Sequence, residues 1–450
     1  MANNLKFESQ KLAINYFVVA AILFGAQLVM GLIAATQFLY PSFLFEIFDF
    51  SVARMVHINA LVVWMLYAMI GSVYYLLPDE TGIETVGIKL GKLGFYVLTA
   101  AVTVVVLVYI LVQVGPATES TIWLINEGRE YIEAPRWADI GIVVVVLVFV
   151  FNLFATAMKG RQTGIVTVLM ADVLALAGLY LAGMFWTDNI SVDQYWWWWV
   201  IHLWVEATWE VFVGCLLSYG LIKIIGARRE VVEMWLWIEV SMLFGSGILG
   251  MGHHYFWIGT PEYWWEIGAL FSALEPVPLV AMFVHVIYDW GKETGLKEGH
   301  GSGEKTMNNS PAFAWFVTNA FGNFLGAGIW GFFHTLPQVN IYTHGTQFTS
   351  AHGHLAFFGA YATILIGMFY MGVQGKNGIK VMKATFDSKM AIFLITFGVL
   401  GMTVSLTVAG YGQVLVERAQ MGATWEGFFV SQDMVWFVQG LGWRLATGIM

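Results

Sequence analysis

The sequence predicts an all-α, polytopic membrane protein with twelve transmembrane helices, forming a single integral-membrane domain over residues 1–450. Its composition is the first reason: 58% of the residues are hydrophobic, 11% are charged, and the mean hydropathy is +0.70. Soluble globular domains have about 45–50% apolar and about 25% charged residues, so the chain is not one of these. The second reason is the 16% aromatic content, with 21 Trp, which is typical of a chain with two membrane interfaces.

Apolar stretches give the helices in order. A transmembrane helix needs about 20 mostly apolar residues to cross about 30 Å of hydrocarbon. Twelve such stretches are predicted, near residues 12–40, 52–77, 93–115, 138–158, 164–186, 195–225, 231–258, 263–290, 311–333, 346–372, 390–412 and 426–449. The connections are short and leave no room for an inserted soluble domain. The segment 291–310, with its GHGSGEKTMNNS run, is predicted to be a flexible linker.

Positive charge predicts the orientation. Sixteen of the 21 Lys and Arg residues fall in segments on the same side as the N-terminus. Because cytoplasmic loops are enriched in Lys and Arg, both termini are predicted to be cytoplasmic, in a bacterial inner membrane. The run Trp196–Trp199 then opens the sixth helix on the outer side, where it is interpreted as part of the aromatic belt.

Two classes of partner and cofactor are disfavoured. The net charge of −9 gives no indication of nucleic-acid binding. Cys215 is the only cysteine and there is no C-x-x-C-H motif, so the sequence excludes a disulfide framework, covalent haem and iron–sulfur clusters.

Six histidines are predicted to share one depth in the outer part of the membrane. They lie on the second, sixth, seventh and tenth helices: His57, His202, His253, His254, His352 and His354. A single buried histidine is explained by an interhelical hydrogen bond. Six at one depth indicate metal or haem ligation, because imidazole is a common metal ligand and burying polar groups in a membrane is costly.

Spacing sorts these residues into centres. His352 and His354 point about 200° apart on a helix, so they can serve two separate centres but not one ion. His202 and Glu206 are four residues apart and share a face. With His253 and His254, they would make three imidazoles and a carboxylate, a donor set that suits iron better than copper(I).

Four distinctive blocks occur in order along the chain: WWWWVIHLWVEATWE (196–210), GMGHHYFWIG (250–259), SALEPVP (272–278) and YTHGTQFTSAHGHLAFFGAY (342–361). These blocks resemble the haem–copper oxidase superfamily and, within it, the catalytic subunit of bacterial cytochrome-c-dependent nitric oxide reductases. The resemblance covers essentially the whole chain.

This resemblance implies specific roles. His57 and His354 would be the axial ligands of a low-spin haem b, and His352 the proximal ligand of a high-spin haem b. The non-haem iron facing that haem would be held by His202, His253, His254 and Glu206. Glu130, in the GREY segment 128–131, matches a family glutamate that binds calcium between the haem propionates; from sequence alone it is a solvated loop carboxylate.

Glu206 discriminates within the superfamily. Oxygen reductases usually carry a catalytic tyrosine four residues after the first active-site histidine, and here that position is Glu206. This favours nitric oxide as the substrate. Quinol-dependent relatives carry an N-terminal soluble extension, whereas this sequence begins shortly before its first predicted span.

The implied reaction reduces two NO to N2O and water with two electrons and two protons. Glu206, Glu210 and Glu275 are carboxyl groups inside predicted spans, and buried carboxyl groups can donate protons. With no soluble electron-accepting domain in the chain, electrons require an outer-side donor. The resemblance makes that donor a membrane-anchored cytochrome c subunit.

Two alternatives remain at this point. A terminal oxygen reductase of the same superfamily would hold copper in the second site, and metal analysis distinguishes it. A transporter with buried His and Glu relays would instead be colourless, without haem b absorption.

Overall fold

The computed structural model describes residues 5–111, 123–131, 133–293, 307–419 and 434–450. Over these residues the protein is all α-helical, with no strand and one isolated backbone bridge between Asn309 and Met382. This confirms the predicted all-α class.

Within the described residues, the helical segments follow the predicted order. They are α1 Glu8–Gln37, α2 Phe50–Thr81, α3 Ile88–Leu111, α4 Arg136–Ala157, α5 Gly164–Gly183, α6 Ile190–Ile225, α7 Arg229–His254, α8 Tyr263–Lys292, α9 310–335, α10 Gln347–Asn377, α11 Phe386–Ala419 and α12 Met434–Gly448. A short helix, Pro337–Thr343, lies between α9 and α10.

Ten of these helices, within the described part of the chain, are long and apolar enough to cross a membrane. The two others are α9 and α12. The α9 helix is long enough, but Asn319 and Asn323 make it more polar than its neighbours. The predicted twelfth span, 426–449, is described only from Met434, and the end of the third, 93–115, also lies outside the described residues.

The chain divides into two compact units. The first comprises Met1–Met170 with Gly372–Ile379, and the second comprises Ala171–Met371 with Lys380–Met450. In the first unit, α1 packs along α2, and their core is aromatic: the rings of Tyr16 and Phe95 lie 5.5 and 6.4 Å, respectively, from the ring of Tyr67. The predicted single domain over 1–450 stays a prediction.

Helix ends follow ordinary capping chemistry. Asp49 caps α2, accepting a hydrogen bond of 2.9 Å from the Val52 amide, and Asn189 caps α6 in the same way. Gly82 and Gly226 end α2 and α6 with φ of +80° and +67°, which glycine adopts without steric cost.

Several helices of the second unit are not regular throughout. Wider π-helical segments lie at Leu203–Trp209 in α6, Phe324–Trp330 in α9 and Phe357–Ala362 in α10. The α7 helix ends in a tight 3₁₀ turn, Met251–His254. The predicted eighth span is broken, since its helices Tyr263–Ser272 and Val277–Glu293 are separated by a turn that contains Glu275 and Pro276.

Candidate metal centre

The irregular segments of α6 and α7 place four potential ligands. His202 is the last residue before the α6 π segment (Leu203–Trp209), and Glu206 lies inside that segment. His253 and His254 lie in the 3₁₀ turn that ends α7. Such π segments inside α-helices occur frequently at functional sites.

These four side chains meet at the Glu206 carboxylate. Its Oε1 lies 2.9 Å from Nε2 of His254, and its Oε2 lies 3.2 Å from both Nδ1 of His202 and Nε2 of His253. One ligand atom from each of the four lies within 4.8 Å of the others, which makes them a group that could hold a metal ion.

The donor set fits a metal ion. Nε2 of His202 lies 2.7 Å from the Gly247 carbonyl, so Nε2 carries the proton and Nδ1 keeps its lone pair. That Nδ1 is buried and has no hydrogen-bond partner among the described residues, although Glu206 is near. Three imidazoles with one carboxylate provide nitrogen and oxygen donors of the kind that bind iron.

Trp198 covers one side of this centre. Its indole ring stacks on the His254 imidazole, with centroids 4.7 Å apart and an interplanar angle of 7°. Interpreting the whole Trp196–Trp199 run as an aromatic belt was therefore wrong for Trp198. The sequence does not distinguish Trp198 from its neighbours, because four identical residues in a row do not indicate which side chain faces the metal centre.

His352 lies in the same unit, on α10. Its Nδ1 lies 3.1 Å from the carbonyl of Gly326 in the α9 π segment, so Nε2 is the nitrogen that would bind a haem iron. A Cβ at Gly331 would come within 3.2 Å of the His352 ring. His334, near the end of α9, lies beside His352, with ring centroids 5.2 Å apart.

The other two histidines have the same orientation relative to a backbone carbonyl. Nδ1 of His354 lies 2.7 Å from the Ser350 carbonyl, and in the first unit Nδ1 of His57 lies 2.8 Å from the Gln27 carbonyl. Both arrangements favour the tautomer protonated at Nδ1, with Nε2 as ligand, as haem ligation requires. Their joint role as ligands of one haem stays a prediction.

Glu210 and Glu275 are both buried, 4% and 6% exposed, respectively. Ser272 Oγ donates a 3.1 Å hydrogen bond to Glu275 Oε2, whereas Oε1 has no partner in the described part of the chain. That oxygen occupies the space that a side chain at Gly250 would fill. A third carboxyl group, Glu239, is also buried and packs against Gly214.

The outer segment that contains Glu130 belongs to the first unit. Glu130 forms an ion pair with Arg54 and is partly exposed. Glu133 is buried and accepts a 2.8 Å hydrogen bond from Asn59 Nδ2. Burial raises the pKa of Glu133 from 4.5 to about 7. Calcium takes six to eight oxygen ligands, and Glu130 belongs to no group of three or more potential ligands among the described residues, so it does not form a calcium site by itself.

The helices and this cluster define a class: a multi-pass membrane protein with an intramembrane metal centre made of histidine and glutamate. Comparison with known proteins narrows that class. The profile of the family described as cytochrome C and quinol oxidase polypeptide I matches residues 11–442. The B subunit of the nitric oxide reductase of Stutzerimonas stutzeri is 40% identical over 437 residues, which cover 96% of this chain and 90% of that protein.

A second relative is more distant. The cytochrome c oxidase subunit 1 homolog of Agrobacterium tumefaciens (strain T37) is 21% identical over 433 residues, covering 90% of this chain and 74% of that protein. The chain therefore belongs to the cytochrome c and quinol oxidase polypeptide I family and, within it, to the group of nitric oxide reductase B subunits.

Proposed function

We propose that this protein is the catalytic subunit of a nitric oxide reductase, which converts two NO, two electrons and two protons into N2O and water. The observation that carries the proposal is the Glu206 carboxylate among three imidazoles, at the position where oxygen reductases usually carry a tyrosine. The relative from Stutzerimonas stutzeri, which matches nearly the whole chain, supports the same activity.

The four ligands would hold a non-haem iron, and His352 would hold a high-spin haem b. When bound, the two metals would bind NO and supply the electrons for joining two NO molecules. The protein fixes the donors: the Gly247 carbonyl sets the His202 tautomer, the Gly326 carbonyl sets that of His352, and Trp198 restricts His254. His57 and His354 would hold a second, low-spin haem b that relays electrons.

Two protons must reach the buried centre, and we assign carboxyl groups to this task. Glu206 would be an iron ligand, and its carboxylate accepts a hydrogen bond from His254. Glu275 holds one oxygen hydrogen-bonded to Ser272 and the other unpaired within the described residues, so that oxygen can accept or release a proton. Glu210 lies one helical turn below Glu206 and would extend the same relay.

Electrons would come from a membrane-anchored cytochrome c subunit on the outer side, in a bacterial inner membrane with both termini of this chain in the cytoplasm. A calcium ion at Glu130 is part of the same proposal. Glu130 contributes one carboxylate, which is already paired with Arg54, so the remaining calcium ligands would come from haem propionates or the partner subunit.

A metal and haem inventory of the purified complex, combined with NO- and oxygen-consumption assays, tests this function. We expect two haem b and one non-haem iron per chain, with NO consumed. One copper with rapid oxygen consumption would support the oxygen-reductase alternative, which the family profile and the Agrobacterium relative favour only coarsely. A colourless complex would contradict both.

A further inference from the structure

Glu206 is held through its own backbone as well as through its side chain. The residue before it, Val205, lies inside the α6 π segment, and its carbonyl accepts a hydrogen bond of 2.9 Å from the hydroxyl of Tyr361. Tyr361 is 155 residues farther along the chain from Glu206 and lies in the α10 π segment, Phe357–Ala362. Two irregular helical segments are therefore joined by one side chain.

The surroundings of Tyr361 fix the direction of this hydrogen bond. The side chain is buried, 3% exposed, so water does not compete for the hydroxyl. Its ring packs edge-on against Trp209, the last residue of the α6 π segment, with centroids 5.3 Å apart and an interplanar angle of 87°. Trp209 also contacts Phe357, one turn before Tyr361. Packing of the ring therefore orients the Tyr361 hydroxyl toward its acceptor, the Val205 carbonyl.

The opposite side of the α6 π segment rests on α7. A Cβ at Gly247 would come within 3.0 Å of the Ala207 side chain, so the two helices are in close contact there. The Gly247 carbonyl also accepts from His202. The backbone on either side of Glu206 is therefore held by α7 at Ala207 and by α10 at Val205.

We infer that Tyr361 is a positioning residue for the iron ligand Glu206, an inference that rests on the iron centre proposed above. A π segment interrupts the regular hydrogen-bond ladder of a helix, so the backbone that carries Glu206 needs an external partner to keep one geometry. Tyr361 supplies it from α10, the helix that carries His352. Its hydroxyl thereby fixes the carboxylate ligand relative to the helix that bears the proposed haem ligand.

Retention of iron by the purified complex tests this inference without relying on activity. The complexes with wild-type chain, Tyr361→Phe, Glu206→Gln and Tyr67→Phe are incubated with a ferrous-iron chelator, and iron release is followed beside haem content. Tyr67→Phe is the matched control, because it removes a buried hydroxyl that donates to Thr99 in the first unit. Loss of an outer ligand contact commonly costs about 10–100-fold in metal affinity.

We expect Tyr361→Phe to release iron at least about tenfold faster than wild type, with haem content retained, while Tyr67→Phe matches wild type. Replacement of Tyr361 by 4-aminophenylalanine, whose amine can donate to the same carbonyl, should restore retention, which a packing defect would not allow. Wild-type release by Tyr361→Phe, with fast release by Glu206→Gln, overturns the role of Tyr361 alone. Equal loss from the phenylalanine and aminophenylalanine proteins also overturns it. Absence of non-haem iron from the wild-type complex overturns the proposed function instead.

Discussion

The Glu206 carboxylate accepts a 2.9 Å hydrogen bond from Nε2 of His254, across the boundary between α6 and α7. Oε1 faces His254, whereas Oε2 lies near His202 and His253. One carboxylate thus lies among three imidazoles. Glu206, His253 and His254 lie in segments that are not regular α-helix, and His202 directly precedes the π segment that contains Glu206. The irregular helical segments themselves therefore bring the four donors to one point.

Replacing this carboxylate by an amide tests its place in the centre. Glu206→Gln keeps the side-chain length but removes the negative charge, and an amide is a poorer ligand for iron. We expect non-haem iron content to fall at least about tenfold and NO turnover to be lost, while both haem b absorption bands remain. Iron analysis and optical spectra of the same sample check this, and wild-type turnover in this variant would contradict the role of Glu206.

The carboxyl group at the break in α8 gives a second prediction. Glu275→Gln removes a group that can exchange a proton while leaving the hydrogen bond from Ser272 possible. We expect steady-state NO reduction to slow at least about tenfold, because proton delivery by a positioned group is worth about 10²–10⁴-fold in rate.

Glu239→Gln is the matched control for Glu275→Gln. Glu239 is as deeply buried as Glu275 but packs against Gly214, farther along α6 from Glu206. The NO turnover of Glu239→Gln should stay close to that of the wild-type complex. Equal slowing in both variants would show that loss of any buried carboxyl group is sufficient, and would remove the specific role of Glu275.

Much of the fold and of the metal centre could be predicted from sequence, because hydrophobicity and depth in the membrane can be read from residue type and from position along the chain. Apolar stretches of about 20 residues predicted the helices, and counting along them placed His202, His253 and His254 at one level. The i, i+4 spacing of His202 and Glu206 predicted a shared site, and the structure brings them together.

The remaining features depend on backbone geometry that the spacing of apolar residues does not encode. A π segment and an α-helix have the same composition, so the segments around Glu206 and Tyr361 could not be predicted. Every residue offers a carbonyl, so the partners of the histidines, such as Gly326 for His352, required coordinates. The contact of His334 with His352 was not predicted for a similar reason. The short helix Pro337–Thr343 lies between them in the sequence, and the path by which the chain returns to α10 required coordinates.

The space around His57 gives a prediction about haem binding. A Cβ at Gly31 of α1 would lie 2.7 Å from the His57 ring, closer than real side-chain contacts allow. Gly31→Ala should therefore displace the imidazole and lower the content of low-spin haem b, so that the variant complex holds less total haem than wild type. Haem per chain and the low-spin absorption band measure the change.

Gly25→Ala is the control for Gly31→Ala, because it lies on the same helix and a Cβ there meets nothing within 4 Å. Both changes favour the helix by about 1 kcal/mol, so helix propensity cannot explain a difference between them. Full haem content in Gly31→Ala, with an unchanged low-spin spectrum, would argue against His57 as an axial ligand.

The outer segment carries a pH-dependent contribution to stability. Burial, with a smaller contribution from the nearby Glu130, raises the pKa of Glu133 from 4.5 to about 7, against the hydrogen bond from Asn59. Between pH 4.5 and 7 the folded chain therefore keeps a proton that the unfolded chain releases. The free energy of unfolding must then fall as pH rises through this window, by up to about 3 kcal/mol from this one group.

Glu133→Gln tests this dependence, since glutamine retains the shape and stays neutral. We expect the thermal unfolding midpoint of the variant to change less than that of wild type across the window between the unfolded and folded pKa values, and to be higher than wild type above it. Glu46→Gln, at an exposed position of the first unit, should leave the wild-type pH profile unchanged. If wild type instead becomes more stable as pH rises and Glu133→Gln follows the same curve, then Glu133 is ionised in the folded protein and its burial is offset by partners beyond Asn59.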